Sequence, residues 1–178
     1  MFLTAFKTAP QTAAYPIEWI PAPWTLRAFR EGLARGGFDR YFINTAFVTV
    51  SCIVGALLSG SLVAFGFARL NAKGKNVLFT IVLSTMMIPG TVTLIPMFVL
   101  YSKLKWVNTF TPLILPAFLG GGAFNIFLLR QFFAAIPKEL GESAMIDGCS
   151  WFIIYRKIYL PNTKPALLVV TMFTFVAT

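Results

Sequence analysis

The chain has 178 residues, of which 57% are hydrophobic and only 12% charged, with a net charge of +9 and no histidine. Soluble globular domains carry roughly 25% charged residues, so half that share excludes an ordinary soluble domain in favour of a membrane protein. The missing histidine removes the commonest general base and metal ligand. The lysines and arginines sit between apolar runs rather than in one stripe, which fits cytoplasmic loops and anionic headgroups, not nucleic acid.

Met1 to Lys7 lacks a basic stretch followed by a long apolar core and so is not a secretory signal. Residues 1–40 are not a span either, because Pro10, Pro16, Pro21 and Pro23 break them up. Three apolar runs follow that are long enough to cross a bilayer as helices, at about 41–70, 77–101 and 111–133. The first carries Cys52 and a surface of small residues, among them Gly55, Gly60, Ser61 and Ala64. Such a surface lets helices approach closely, either as static packing or as a moving interface. Cys52 lies in an apolar run and Cys149 in a polar loop, so no disulfide framework is implied.

The second run contains Pro89-Gly90 and Pro96, each proline predicting a kink. Thr85, Thr91 and Thr93 lie near enough to satisfy freed carbonyls. Such a span is either a wall of a polar pathway or kinked packing without substrate contact. The third contains Gly120-Gly121-Gly122, which predicts an irregular point, since each glycine weakens a helix by about 1 kcal/mol relative to alanine. Its Asn125, polar at membrane depth, should face protein or a cavity, through a helix–helix hydrogen bond or a sugar hydroxyl. A fourth run opens at Ala166 and stops at Thr178, and thirteen helical residues reach roughly 20 Å, short of the roughly 30 Å hydrocarbon core. The expectation is a chain that ends inside a span, as a fragment would.

Between the third and fourth runs lies a polar loop, 134–165. Pro137 followed by Glu139 predicts a helix start, and Gly148 its stop. A second helix is predicted over 150–159, with Trp151, Ile154, Tyr155 and Ile158 on one apolar face. Two short helices about a glycine make a lug that could enter a cleft in a partner, or an ordinary surface loop. One side of the membrane holds eight basic residues near span ends: Arg69, Lys73, Lys75, Arg130, Lys138, Arg156, Lys157 and Lys164. The other holds six: Arg27, Arg30, Arg35, Arg40, Lys103 and Lys105. The balance places the 134–165 loop in the cytoplasm and the N-terminal segment outside.

The loop's pattern is Glu142-Ser143-Ala144, three residues, Gly148, nine residues, then Ile158-Tyr159-Leu160-Pro161. It resembles the EAA loop of permease subunits of binding-protein-dependent ABC importers, with Ser143 where alanine is usual. Ile136-Pro137-Lys138-Glu139-Leu140, Asp147-Gly148, the Ile88-to-Pro96 stretch and Phe127-to-Phe133 are similar to the carbohydrate-uptake branch, the second permease of maltose-type systems. The resemblance implies an all-α integral membrane protein of the bacterial inner membrane. Three full transmembrane helices, a truncated fourth and a cytoplasmic coupling loop would follow an extracytoplasmic segment over 1–40. The family's first span, the rest of its fifth and its sixth would lie outside this sequence.

The resemblance also implies partners: ABC ATPase subunits, a second permease and an extracytoplasmic sugar-binding protein, with lipid around the spans. Glu142, Ser143, Ala144, Asp147, Gly148, Ile158, Leu160 and Pro161 would couple to the ATPase. Thr85, Thr91, Thr93 and Asn125 are the candidates for the sugar pathway. No cofactor, metal or nucleic acid is implied. The sequence has no GxxxxGK[ST] loop of its own, so nucleotide hydrolysis would belong to the partner. A secondary transporter or channel is the alternative, but ion coupling usually uses intramembrane Asp, Glu or Lys, which the three runs lack. A membrane-embedded enzyme would need clustered acids, histidine or a nucleophile–base pair, whereas the six acidic residues are scattered.

Overall fold

The computed structural model describes residues 2–17 and 19–178; Met1, Glu18 and the side chain of Arg35, a member of the charge balance, lie outside the description. Every regular element among the described residues is helical. The chain divides into two units, Met1–Phe47 and Val48–Thr178.

In the first unit a 3₁₀ turn, Leu3–Phe6, leads to α1 (Ala9–Thr12) and, after a proline-rich stretch, to α2 (Arg27–Arg35). Phe6 organises it, packing its ring against Trp24 at 5.4 Å and Phe29 at 5.5 Å, while its carbonyl accepts the Thr25 N–H at 3.0 Å. Thr8 and Gln11 form a capping box at the start of α1. Arg27 and Glu31 pair one turn apart on α2 at 2.5 Å, and this raises the Arg27 pKa; the pair is exposed and adds little to stability.

The long helix α3 (Phe38–Arg69) follows, its residues from Val48 onward belonging to the second unit. Then come α4 (Lys75–Ser84), a 3₁₀ turn Thr85–Met87, α5 (Gly90–Lys103), α6 (Thr111–Phe118) and α7 (Ala123–Ala135). The last part is α8 (Lys138–Ile146), α9 (Trp151–Ile154), a π-helical turn Tyr155–Tyr159, α10 (Leu160–Asn162) and α11 (Lys164–Ala177).

Among the described residues two stretches are long and apolar enough to cross a membrane, Phe38–Arg69 and Thr111–Ala135. The count rises to as many as four if each of two bent pairs forms one span. The run expected as one kinked span over 77–101 is such a pair, α4 with its 3₁₀ turn and α5, bent by 100°. Pro89 causes the break. It has no N–H to continue the ladder and forces Ile88 to extended backbone (φ −82, ψ 116). Pro96, by contrast, sits inside α5. The other pair, Trp151–Asn162 and α11, is bent by 78°.

The expected irregular point is real: Gly120, Gly121 and Gly122 all have positive φ and separate α6 from α7. They do so against the small-residue face of α3. A Cβ on Gly121 would meet Ala56 Cα at 2.8 Å, and one on Gly60 would meet the Gly120 carbonyl at 3.3 Å. Ser59 Oγ lies 2.8 Å from the Ala117 carbonyl oxygen and accepts the Gly120 N–H at 3.1 Å. The stripe on α3 is therefore close packing against a broken helix, with backbone groups of the break satisfied by a serine.

The core of the second unit is aromatic. Phe65 of α3 packs against Phe133 of α7, Trp151, Tyr155 and Tyr159, with centroids 5.2–6.3 Å apart. Phe79 of α4 stacks on Phe127 of α7 and takes the Arg130 guanidinium over its face at 4.1 Å. Phe173 of α11 meets Phe124 of α7 edge-on at 5.4 Å. α5 buries no residue, and Val92, Leu94, Ile95 and Phe98 stand open.

Gly121→Ala should destabilise the protein by about 1–3 kcal/mol, since both the left-handed backbone and contact with Ala56 backbone oppose a side chain. Gly90→Ala, which meets nothing within 4 Å and has no positive φ, should be neutral or slightly stabilising. Thermal unfolding of the detergent-solubilised protein, variant against wild type, measures both.

Candidate functional site

The loop 134–165 folds as two short helices about a tight turn. Lys138 begins α8 after Pro137, whose extended ψ of 137 makes it the cap residue rather than the first helical one. α8 ends in a Schellman motif. The Cys149 N–H returns to the Ala144 carbonyl at 2.9 Å and the Gly148 N–H to the Met145 carbonyl at 3.0 Å, with Gly148 left-handed at φ +79. Gly148 is thus required by backbone conformation, since a Cβ there would meet nothing within 4 Å.

The two helices do not lie off the bundle, as a protruding lug would. Ile154, Tyr155, Tyr159 and Thr163 are buried, and Ile154, Tyr155 and Tyr159 belong to the buried core together with Ala166 and Val170. The helix predicted over 150–159 is α-helical only to Ile154 and then widens into the π turn. In that turn Tyr155 and Tyr159 both face Phe65 and Phe133. Arg156 and Lys157, between them, are exposed.

Two polar contacts seat this core. Ser61 Oγ of α3 lies 2.6 Å from the Tyr155 hydroxyl, in a buried position. Because the serine proton is directed back to the Leu57 carbonyl, the phenol is the donor. Arg69, the last residue of α3, reaches the end of α7. Its Nε donates to the Phe133 carbonyl at 3.1 Å, and its Nη2 donates to the same oxygen at 2.5 Å and to the Ile136 carbonyl. These carbonyls belong to the group that a helix C-terminus leaves without internal partners. The guanidinium also lies 4.8 Å from the centre of the Tyr159 ring. Burial pushes the Tyr159 phenol pKa up; Arg69 opposes this, while Glu142 and Glu139 add to it, so Tyr159 stays neutral at physiological pH.

The residues singled out by the sequence divide between two faces. Glu142, Ser143, Asp147, Gly148 and Pro161 are exposed. Ala144 is buried, with Ile158 and Leu160 half-buried against the core. Ser143 Oγ donates to the Leu140 carbonyl at 3.2 Å, within its own helix. Beside the exposed set stands Ile146, 87% exposed, an open apolar side chain at the tip of α8. Behind it, a cavity of about 230 Å³ is lined by Arg69, Lys75, Lys138, Glu142 and Tyr159 among others. Its wall holds three cations and one carboxylate, a surface able to receive an acidic group.

The pathway candidates are not brought together with this face. Thr85 Oγ1 donates to the Val82 carbonyl at 2.6 Å and Thr93 Oγ1 to the Gly90 carbonyl at 2.9 Å, both near the Pro89 bend and both exposed, as is Thr91. Asn125 donates from Nδ2 to the Gly121 carbonyl at 2.7 Å. It braces the triple-glycine break. Among the described residues no group of three or more His, Cys, Asp or Glu could hold a metal ion.

Sequence reasoning missed Gly141, Ser61, Phe65 and Tyr159 as parts of one seat and read Arg69 only as a loop charge. A signal existed: a glycine in the middle of α8, and tyrosines four apart in an otherwise basic segment.

Broken apolar helices around a buried aromatic core, with a charged helix–turn–helix set into one end, fit a polytopic membrane protein. By residues 56–178 the chain belongs to the family described as the binding-protein-dependent transport system inner membrane component. It is 38% identical over 170 residues to the arabinooligosaccharides transport system permease protein AraQ of Halalkalibacterium halodurans, covering 94% of this chain and 60% of that one. A putative ABC transporter permease protein, ORF2, of Caldicellulosiruptor is 36% identical over 173 residues, with 97% and 62% covered. The diacetylchitobiose uptake system permease protein DasC of Streptomyces coelicolor is 32% identical over 176 residues, with 99% and 64% covered. Among solved structures, a bacterial ABC transporter involved in the import of the acidic polysaccharide alginate matches with a TM-score of 0.88 at 25% identity, covering 99% of this chain and 61% of that one. The chain therefore spans between 60% and 64% of the length of these relatives.

Gly148→Ala should loosen the end of α8, because a left-handed alanine costs about 1–2 kcal/mol. The Gly148 and Cys149 amides should then exchange with deuterium about five- to thirtyfold faster, while Gly148→Asn, which tolerates this backbone, should change them less.

Proposed function

We propose that this chain is the transmembrane permease part of an ATP-driven sugar importer, seated in the inner membrane with the 134–165 loop in the cytoplasm. It is a transport component, and ATP hydrolysis belongs to ABC ATPase subunits that dock on that loop. A second permease completes the pathway, and an extracytoplasmic binding protein delivers the sugar. The sugar assignment is supported by the printed names of AraQ and DasC.

The observation that carries the docking reading is the exposed face of α8. A rigidly capped helix holds an apolar Ile146 open beside Glu142, Ser143 and Asp147, while its other face is locked to the bundle through Gly141 and Ala144. Ile146, with Leu140 and Met145 also exposed on the same helix, gives α8 an apolar surface of the kind that anchors an interface. In this reading Glu142 and Asp147 meet charge on the ATPase, Ser143 allows close approach and Gly148 fixes the angle between the helices. Ala144, Ile158, Leu160 and Pro161 hold the loop's shape. Thr85, Thr91 and Thr93, at the Pro89 bend, and Asn125, at the triple-glycine break, are proposed to meet the sugar.

The protein expressed from its own locus should copurify with an ATPase, and cells carrying it should accumulate radiolabelled arabino-oligosaccharide or diacetylchitobiose. Ile146→Arg should weaken ATPase capture about tenfold or more, as loss of an interface anchor does. Cys149, part-exposed beside Gly148, should react with a membrane-impermeant maleimide in inverted vesicles and not in sealed cells. Labelling from outside would reverse the orientation, and wild-type capture by Ile146→Arg would remove α8 from the interface.

A further inference from the structure

A coupling loop can transmit force only if its two ends of contact are stiff: the face toward the partner and the face toward the spans. The second of these is resolved in atomic detail. The guanidinium of Arg69 joins three elements, because it ends α3, holds the Phe133 and Ile136 carbonyls at the end of α7, and lies over the ring of Tyr159. The Tyr159 hydroxyl in turn rests on Gly141, where a Cβ would come within 3.0 Å of the phenolic oxygen and 3.6 Å of the nearest ring carbon. Gly141 is buried in the middle of α8, one residue before Glu142. A continuous line of contact thus runs from the ends of two spans, through Arg69 and Tyr159, to the helix that carries the exposed face.

We propose that Arg69 is a positioning residue for coupling, and that with Tyr159 and Gly141 it forms the seat through which α8 moves as one body with the ends of α3 and α7. This rests on the reading of the loop as the ATPase dock. Arginine suits the place for a physical reason. Its planar fork donates to two carbonyls at once and leaves a face for the ring, whereas a lysine ammonium is a single point of charge. Glycine suits position 141 because a Cβ there would press on the Tyr159 hydroxyl at 3.0 Å, so that the phenol or the helix must give by a few tenths of an ångström. The seat does not touch sugar or nucleotide; it acts only through α8.

The test uses the natively expressed protein with Cys52→Ala, Cys149→Ala and the reporter Met87→Cys, at an exposed position near the Pro89 bend, and the ATPase that copurifies with it. The readout is the change in maleimide labelling of the reporter on adding ATP and vanadate, divided by the rate of ATP hydrolysis measured without vanadate. Gly141→Ala should lower that ratio about tenfold, within the usual span of coupling effects. Adding Tyr159→Phe should restore most of it, since removing the hydroxyl leaves only ordinary contact at 3.6 Å and beyond. Arg69→Lys, keeping the charge but not the fork, should lower the ratio as well. A merely structural defect would lower the amount of complex without moving the ratio. A wild-type ratio in Gly141→Ala and Arg69→Lys, or a loss that Tyr159→Phe does not reverse, overturns the seat while leaving the dock intact. If no ATPase copurifies with the wild type, the dock itself is wrong and the seat falls with it.

Discussion

A helix C-terminus leaves carbonyl oxygens with no partner in their own helix, and in α7 one of them belongs to Phe133, whose side chain is buried among aromatic rings. Arg69 answers that need, donating to Phe133 and Ile136 from the far end of α3. A cation at a helix C-terminus also opposes the helix dipole, worth roughly 0.3–1 kcal/mol at a surface and up to ~2 when partly buried. The architecture of the charged loop depends on this link. With the end of α7 fixed to α3, the chain turns at Pro137 into α8 in a defined direction, and Tyr159 has a flat cation to lie against.

The second organising constraint is close approach. α3 has small residues where α6 and α7 are broken, so that the triple-glycine backbone packs on Ala56 and Gly60 almost without side chains between. Ser59 and Asn125 satisfy polar groups that the break exposes. In hydrocarbon such groups have no water to turn to, so the break and the stripe are a matched pair. α5 shows the opposite design, with no residue buried, leaving its apolar surface to lipid or to other protein.

Much of this was legible in the residues. Apolar run length located the long helix Phe38–Arg69 and the Thr111–Ala135 stretch within a few residues, and the glycine triplet announced the break. Gly148 announced the turn because a left-handed residue ends most Schellman motifs. What could not be read was direction in space. Pro89 signalled a kink, but an angle of 100° depends on what each arm packs against. The apolar face Trp151, Ile154, Tyr155, Ile158 was drawn with α-helical periodicity. The π turn moved the buried set to Ile154, Tyr155 and Tyr159 instead. Arg69 counted as a loop charge because nothing local distinguishes a capping arginine from a solvated one. Arg130 likewise lies over Phe79 with its Nε buried and without a hydrogen-bond partner among the described residues.

The π-helical turn has a consequence of its own. Such a turn holds one residue more than an α-helix needs to cover the same rise, and π turns are uncommon outside functional sites. Removing a single residue between Tyr155 and Tyr159 would let the segment relax into an ordinary α-helix. Each residue of an α-helix advances the phase by about 100°, and the π turn absorbs its extra residue by winding less than that per residue, so such a deletion would leave the flanking segments close to their present phase. Winding all five residues as α-helix without a deletion would instead swing Leu160 and Pro161 to a new azimuth. The segment is therefore a phase-setting joint, where the winding of five residues, more than their chemistry, decides which side of the following chain faces the bundle.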